Sequence, residues 1–215
     1  EFRRVLFRSE TIIVVDDASN VEIRATAITF GAIYIRLDSN SGSFKARQAG
    51  VQLSESEYIF FLDSDDLWHP DKLKKQISYL LANNSIDLVF CNYVIFSENT
   101  DFTKAIRLVP IRKRVEAWLH TTGYGGALES AGVVRRESLL AKRGFALDLQ
   151  MCGGLDLAFR FSREDRVACV DEFLCAYRMT KQGWHNNKND LVASYNRLLL
   201  NEDLYGSFAK KIRVN

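Results

Sequence analysis

The segment Tyr58-Ile59-Phe60-Phe61-Leu62-Asp63-Ser64-Asp65-Asp66-Leu67-Trp68 runs from five mostly apolar residues straight into three carboxylates. Crowded carboxylates repel one another, and burying them unpaired is costly. A cation relieves both problems. Hard oxygen ligands select Mg²⁺ or Mn²⁺, ions that commonly bridge to the phosphates of a nucleotide. A structural reading stands beside this one: Asp65 or Asp66 caps the helix that His69-Pro70-Asp71-Lys72-Leu73 opens. Capping accounts for one carboxylate and leaves two.

A second acidic pair ends another apolar run. Thr11-Ile12-Ile13-Val14-Val15 reads as a buried strand and empties into Asp16-Asp17. Between and after these strands the pattern alternates. A weak helix extends to about Thr29, and Ala32 to Leu37 reads as a strand. A helix follows over 44–53, the strand Tyr58 to Leu62, a helix over 71–83 and a strand over 87–96. This alternation predicts an α/β fold with a doubly wound, mainly parallel sheet. Ligands of such sheets bind beyond the carboxyl ends of the strands, so both acidic clusters are expected to face one crevice. The second half predicts a polar excursion over 97–109, a basic helix over 112–120 and a loop at Gly123-Tyr124-Gly125-Gly126. A strand over 131–135, a helix from Glu137 to Gly144, a helix over 155–163, a strand over 167–177 and an amphipathic helix over 190–205 complete it.

The 215 residues predict one domain (10–96 as a nucleotide-binding half, 97–215 as a smaller mixed half). No apolar run approaches the roughly 20 residues that cross a bilayer. Glu1 to Ser9 lacks the apolar core of a signal peptide. It resembles a translated sequencing-adapter frame and is set apart as non-native. It holds three Arg and one Glu, so without it Lys+Arg falls from 29 to 26, Asp+Glu from 27 to 26, and net charge from +2 to 0. That balance gives no electrostatic case for nucleic acid. Cys91, Cys152, Cys169 and Cys175 form no C-x-x-C pair and no zinc spacing, which fits a reduced, cytoplasmic compartment.

Four stretches resemble the inverting family 2 glycosyltransferases of the GT-A fold, which build bacterial surface polysaccharides. Val14-Val15-Asp16-Asp17-Ala18-Ser19 is similar to V-V-D-D-G-S. Asn40 to Gly50 is similar to N-x-G-x-x-x-A-R-N-x-G, with Gln48 for the second Asn. Leu62 to Leu73 is close to the family's D-x-D segment, and Asp156-Leu157-Ala158-Phe159-Arg160 resembles D-L-W-L-R. The resemblance implies a UDP-sugar or similar nucleotide-diphosphate donor, a glycan or lipid-linked hydroxyl acceptor, and Mg²⁺ or Mn²⁺. It implies that Asp17 contacts the base and that Arg47 lies near base or diphosphate, against a plain surface-helix role. Asp63 then contacts ribose or a metal-bound water, Asp65 holds the metal, and Asp66 is only the cap of the following helix. A place at the inner membrane face is implied in the same way.

Two departures bear on activity. The family's first strand and helix are expected before Thr11, and their place is taken by the adapter-like peptide. The family's general base, needed to deprotonate the acceptor, falls at Gly154, next to Gly153. Asp156 or Asp148 are candidate substitutes. Met179 stands where relatives carry His in Y-R-x-H; His185 is a candidate for metal or diphosphate and Trp184 for sugar stacking, whereas His69 and His120 read as structural. An active transferase, a noncatalytic nucleotide-sugar-binding paralogue and a sugar-phosphate nucleotidyltransferase all remain open on these residues.

Overall fold

The computed structural model describes residues 11–97, 100–106, 128–149, 151–164, 166–179, 189–190 and 193–194. In chain order they form β1 (Ile13–Asp16), α1 (Arg24–Thr29), β2 (Ile33–Arg36), α2 (Ser43–Leu53), β3 (Tyr58–Phe60), β4 (Leu67–Trp68) and α3 (Lys72–Ala82). There follow β5 (Leu88–Ser97), β6 (Thr100–Ile106), α4 (Leu128–Ala131), β7 (Val133–Arg135), α5 (Arg136–Ala141), α6 (Gly153–Ser162) and β8 (Val167–Met179). The class is α/β, as the alternation predicts.

The strands form two sheets. β1 and β2 pair in parallel, with Asp16 opposite Arg36. The other six strands run in the order β3-β7-β5-β8-β4, with β6 added to β5. The sheet is mixed, and its longest pairing, β5 with β8, is parallel. Among the described residues only β1/β2 and β5/β8 are parallel, while β3/β7, β5/β7, β4/β8 and β5/β6 are antiparallel. β3 and β5 do share a direction, but β7 lies between them and runs against both. A strand supplied from about 75 residues further along the chain leaves no trace in local periodicity. The polar excursion over 97–109 needs correction, because 100–106 is a strand that turns back on β5.

Period-two alternation divides the core. Leu88, Phe90, Val134 and Ile59 face Phe44 and Val51 of α2 and Leu155 and Phe161 of α6. Val89, Val133 and Ala168 face the other way, onto Leu80 of α3. Helix α2 serves both sheets: Gly50 packs on Val15 of β1 while Phe44 and Val51 enter the main core. Of the expected C-terminal helix, 189–190 and 193–194 are described and helical. The basic helix at 112–120 and the loop at 123–126 lie outside the described residues.

Candidate functional site

The acidic segment after β3 is fastened from two sides. Asp63 N–H donates to Ser130 Oγ at 3.1 Å, and Trp68 Nε1 donates to the Ser130 carbonyl at 2.8 Å. On the other side the Arg178 N–H donates to Asp66 Oδ1 at 3.0 Å, and Arg178 Nε to the Asp65 carbonyl at 2.8 Å. The loop is thus held between α4 and the end of β8. Asp65 is exposed, and its carboxylate forms no ion pair among the described residues. Asp66 is buried, and among the described residues its Oδ2 has no hydrogen-bond partner. Burial pushes its carboxyl up to about 7, against the pull of Ser130 and the Arg178 N–H. Asp66 does not cap a helix, contrary to the capping expectation. α3 begins only at Lys72, with Asp71 at its N-cap position and no side-chain cap bond.

Helix α2 brings a cation to this loop. Arg47 pairs with Asp63 and lies over the Phe44 ring at 5.3 Å. Burial disfavours its charge, but Asp63, Glu129 and Asp66 outweigh that and hold it protonated. This is not the solvated arginine of a surface helix, since only 12% of the side chain is exposed.

The second acidic pair divides its work. Asp16 is buried and accepts from Tyr34 Oη at 2.6 Å, Arg36 Nη1 at 2.5 Å and the Ser19 N–H at 2.8 Å. The Tyr34 bond first, then the Ser19 N–H and Arg36, hold its carboxyl well below the usual range. Asp17 accepts the Ser41 N–H at 2.7 Å and the Gly42 N–H at 2.8 Å. Gly42 precedes α2 with φ 93°, a left-handed value that suits glycine. Asp17 therefore anchors the start of α2, and Arg47, one turn on, reaches Asp63. The two acidic strand ends are joined along one helix, from residues of separate sheets.

Glu129 is a further charged member that no sequence motif marks. It is the lone carboxylate in the small and apolar run Ala127-Leu128-Glu129-Ser130-Ala131-Gly132-Val133-Val134, which is the one signal that could have drawn attention to it. Its Oε1 accepts the Gly154 N–H at 2.8 Å, at the first turn of α6. Burial raises its pKa, opposed by Arg47 and reinforced by Asp63. Beside it, Gln76 Nε2 donates to Ala131 O at 2.9 Å and Val89 O at 3.0 Å, while its Oε1 accepts Lys72 Nζ at 2.7 Å. Lys72 is fully buried, with its ammonium 4.6 Å from the Trp68 ring centre and 5.0 Å from that of Phe60. Burial lowers its pKa to about 8.

Gly153 and Gly154 open α6 behind Cys152, which is left-handed at φ 65° and caps nothing with its side chain. A Cβ on Gly153 would land within the Phe44 ring. Gly153→Ala is therefore expected to cost about 2–3 kcal/mol by overpacking. Phe44→Leu should recover part of that loss in a double-mutant cycle followed by urea unfolding; strictly additive costs would count against the contact. Of the candidate acids nearby, Asp156 is buried and pairs with Arg160 at 2.5 Å. Arg160 in turn donates to Lys142 O at 2.6 Å and Gly144 O at 2.7 Å, so this pair braces the turn before α6. Asp148 is exposed on that turn. Gln48, the departure in the second motif, accepts the Phe145 N–H at 3.1 Å and ties α2 to the same turn. His185 and Trp184 lie outside the described residues.

The chain is 36% identical over 92 residues to the UDP-Glc:alpha-D-GlcNAc-diphosphoundecaprenol beta-1,3-glucosyltransferase WfgD of Escherichia coli, covering 41% of this chain and 36% of that one. The S. aureus TarS 1-349 structure in complex with UDP-GlcNAc superposes with a TM-score of 0.67 at 14% identity, covering 88% of this chain and 56% of that one. The mannosyltransferase PcManGT of Pyrobaculum calidifontis, in complex with GDP-Man and Mn²⁺, gives 0.61 at 16% identity, covering 88% and 54%. These two show a shared GT-A fold, and the chain spans about half or less of each of the three proteins. Residues 7–139 match the glycosyl transferase family 2 domain, and the chain belongs to that family.

Proposed function

We propose that the chain transfers a sugar, with inversion, from a nucleotide-diphosphate donor to a hydroxyl of a glycan or lipid-linked acceptor in surface polysaccharide synthesis. The observation that carries this reading is the span of α2, which begins at the loop held by Asp17 and sets Arg47 against Asp63. UDP is the favoured nucleotide, since Asp17 keeps lone pairs for a uracil N–H beyond the two backbone groups it holds. Arg47 supplies a fixed positive charge beside the position of the diphosphate, and Asp63 orients that charge and is placed for ribose or a metal-bound water.

The residues fit Mg²⁺ or Mn²⁺ in kind. Asp65 offers an exposed carboxylate, and Asp66 Oδ2 is a buried oxygen acceptor without a hydrogen-bond partner among the described residues. Among the described residues no three of His, Cys, Asp and Glu gather tightly enough to hold an ion alone. A hard cation shared with phosphate oxygens suits such a half-site. When bound, the ion would neutralise charge on the departing nucleoside diphosphate. His185 is a further proposed contact to metal or diphosphate, and the work is assigned to the cytoplasmic side, at the inner membrane face. No helix among the described residues is long and apolar enough to cross a membrane.

Calorimetric titration of UDP with and without Mn²⁺ tests this. Binding is expected only with the ion, and Asp65→Ala should raise Kd by about tenfold or more. Binding indifferent to both would remove the proposed site. A second reading, nucleotide-sugar binding without turnover, is favoured by the lack of a carboxylate on Gly154; donor binding with no sugar transfer would support it.

A further inference from the structure

We propose that Glu129 is the general base of the transfer, the carboxylate that takes the proton from the attacking hydroxyl. This rests on the transferase reading above. Of the three carboxylates near the start of α6, two are poorly suited. Asp156 is 3% exposed and bound to Arg160, which two backbone carbonyls hold in place. Asp148 sits exposed on a turn between α5 and α6, and the Gly154 N–H in the first turn of α6 donates to Glu129 in its place.

Glu129 differs on each point. It reaches from α4 to the first turn of α6, where it accepts the Gly154 N–H, and it retains 9% of its surface. The residues beside it are bonded to the proposed donor loop: Ser130 Oγ accepts from Asp63 N–H, and the Ser130 carbonyl from Trp68. Gln76 and Lys72 hold the next two carbonyls, at Ala131 and Gly132. Glu129 is thus fixed relative to the loop that would hold the diphosphate, as a base must be to meet the reacting hydroxyl. Gly153 cannot carry a competing side chain, because Phe44 fills the space. The carboxylate that reaches the first turn of α6 at Gly154 comes instead from another element, as Glu129.

The surroundings suit a base. Arg47 on α2 favours the ionised form, Asp63 and burial oppose it, and the Cys152 thiol and Tyr177 of β8 lie within its field. A carboxyl raised in this way takes a proton more readily than an exposed one. In the step itself, Glu129 accepts the hydroxyl proton while the acceptor oxygen bonds to the anomeric carbon. The bond from that carbon to the diphosphate oxygen breaks, and its electron pair leaves with the nucleoside diphosphate. Glu129 then returns the proton to solvent.

The test is UDP release from UDP-glucose and UDP-GlcNAc with Mn²⁺, water serving as acceptor, in wild type, Glu129→Gln and Glu129→Ala. Calorimetric Kd for UDP and thermal unfolding are measured alongside. Gln keeps an oxygen for the Gly154 N–H and loses only the ability to take a proton. Glu129→Gln is expected to slow release about 100-fold or more with UDP Kd within about threefold, and to abolish the rising limb of the pH–rate profile. Release within about threefold of wild type overturns the assignment. So does parallel loss of rate, UDP binding and thermal stability, which would mark Glu129 as a cap of α6 only. Wild type that binds UDP and releases none overturns Glu129 as a base and favours the binding protein. Wild type that binds no UDP overturns the transferase reading, and Glu129 with it.

Discussion

Arg47→Leu is expected to cost about 3–5 kcal/mol of stability at pH 7.5 and to abolish measurable UDP binding. Removing one partner from a largely buried ion pair strands the other charge, which is why the cost exceeds that of a surface pair. Here two carboxylates lose their cation together. Asp63 loses a direct partner, and Glu129, deep in low-dielectric surroundings, loses the group that opposes its desolvation. Glu129 already has a raised folded pKa, and without Arg47 it rises further. A carboxyl raised on folding contributes stability at low pH and loses it as pH climbs through the folded value. The deficit of Arg47→Leu should therefore shrink as pH falls from 7.5 toward the usual glutamate value of 4.5. Urea unfolding of both proteins at pH 5 and 7.5 measures this. An equal deficit at both would show that Glu129 is not the charge left uncompensated.

Gln76→Leu should be about as damaging, at about 3–5 kcal/mol, although Gln76 lies on the face of the sheet opposite the proposed donor site. Leucine fills a similar volume but takes the amide donor from the carbonyls of Val89 and Ala131, leaving Ala131 with the weak Cys91 thiol at 3.4 Å, and each stranded buried group costs roughly 1–3 kcal/mol. It also removes the acceptor nearest the Lys72 ammonium, which among the described residues keeps the Gly132 carbonyl at 3.5 Å and the two rings. Lys72 is already depressed to about 8 by burial. A lysine depressed on folding costs stability at low pH, and that cost is relieved as pH rises from about 8 toward its ordinary value of 10.5. The loss in Gln76→Leu is thus expected to be larger at pH 7 than at pH 9.5, when the amine is mostly neutral. Thermal unfolding across that range is the measurement. A loss below about 1 kcal/mol at pH 7 would mean the network is not structural.

The first half of the chain was legible where chemistry and periodicity coincide. The apolar run at 58–62 ends in acid, and the structure keeps a strand at Tyr58–Phe60 and a tethered loop after it. α2 and α3 fall within a residue of the expected bounds because their apolar faces repeat at helical spacing and turn residues flank them. What escaped is non-local. β7 has three residues, and nothing in them says that they pair with Tyr58 on one side and Leu88 on the other. Asp66 reads as a cap from its neighbours, yet its partner, Arg178, is 112 residues away. Glu129 is the sharpest case. A single carboxylate among small residues has no spacing to reveal it, and its meaning depends on two glycines 25 residues later.

The packing of Phe44 on Gly153 makes the two positions a single evolutionary character. Installing a side chain at 153, next to the position of the family's general base at Gly154, is not one substitution away. A side chain at 153 collides with the ring, while shrinking the ring alone opens a hole in the core and strips Arg47 of the surface it lies over. Each first step descends, and only the pair climbs back. A lineage in this configuration is confined to it, and grafts from relatives should be judged as sets in which position 44 changes with position 153.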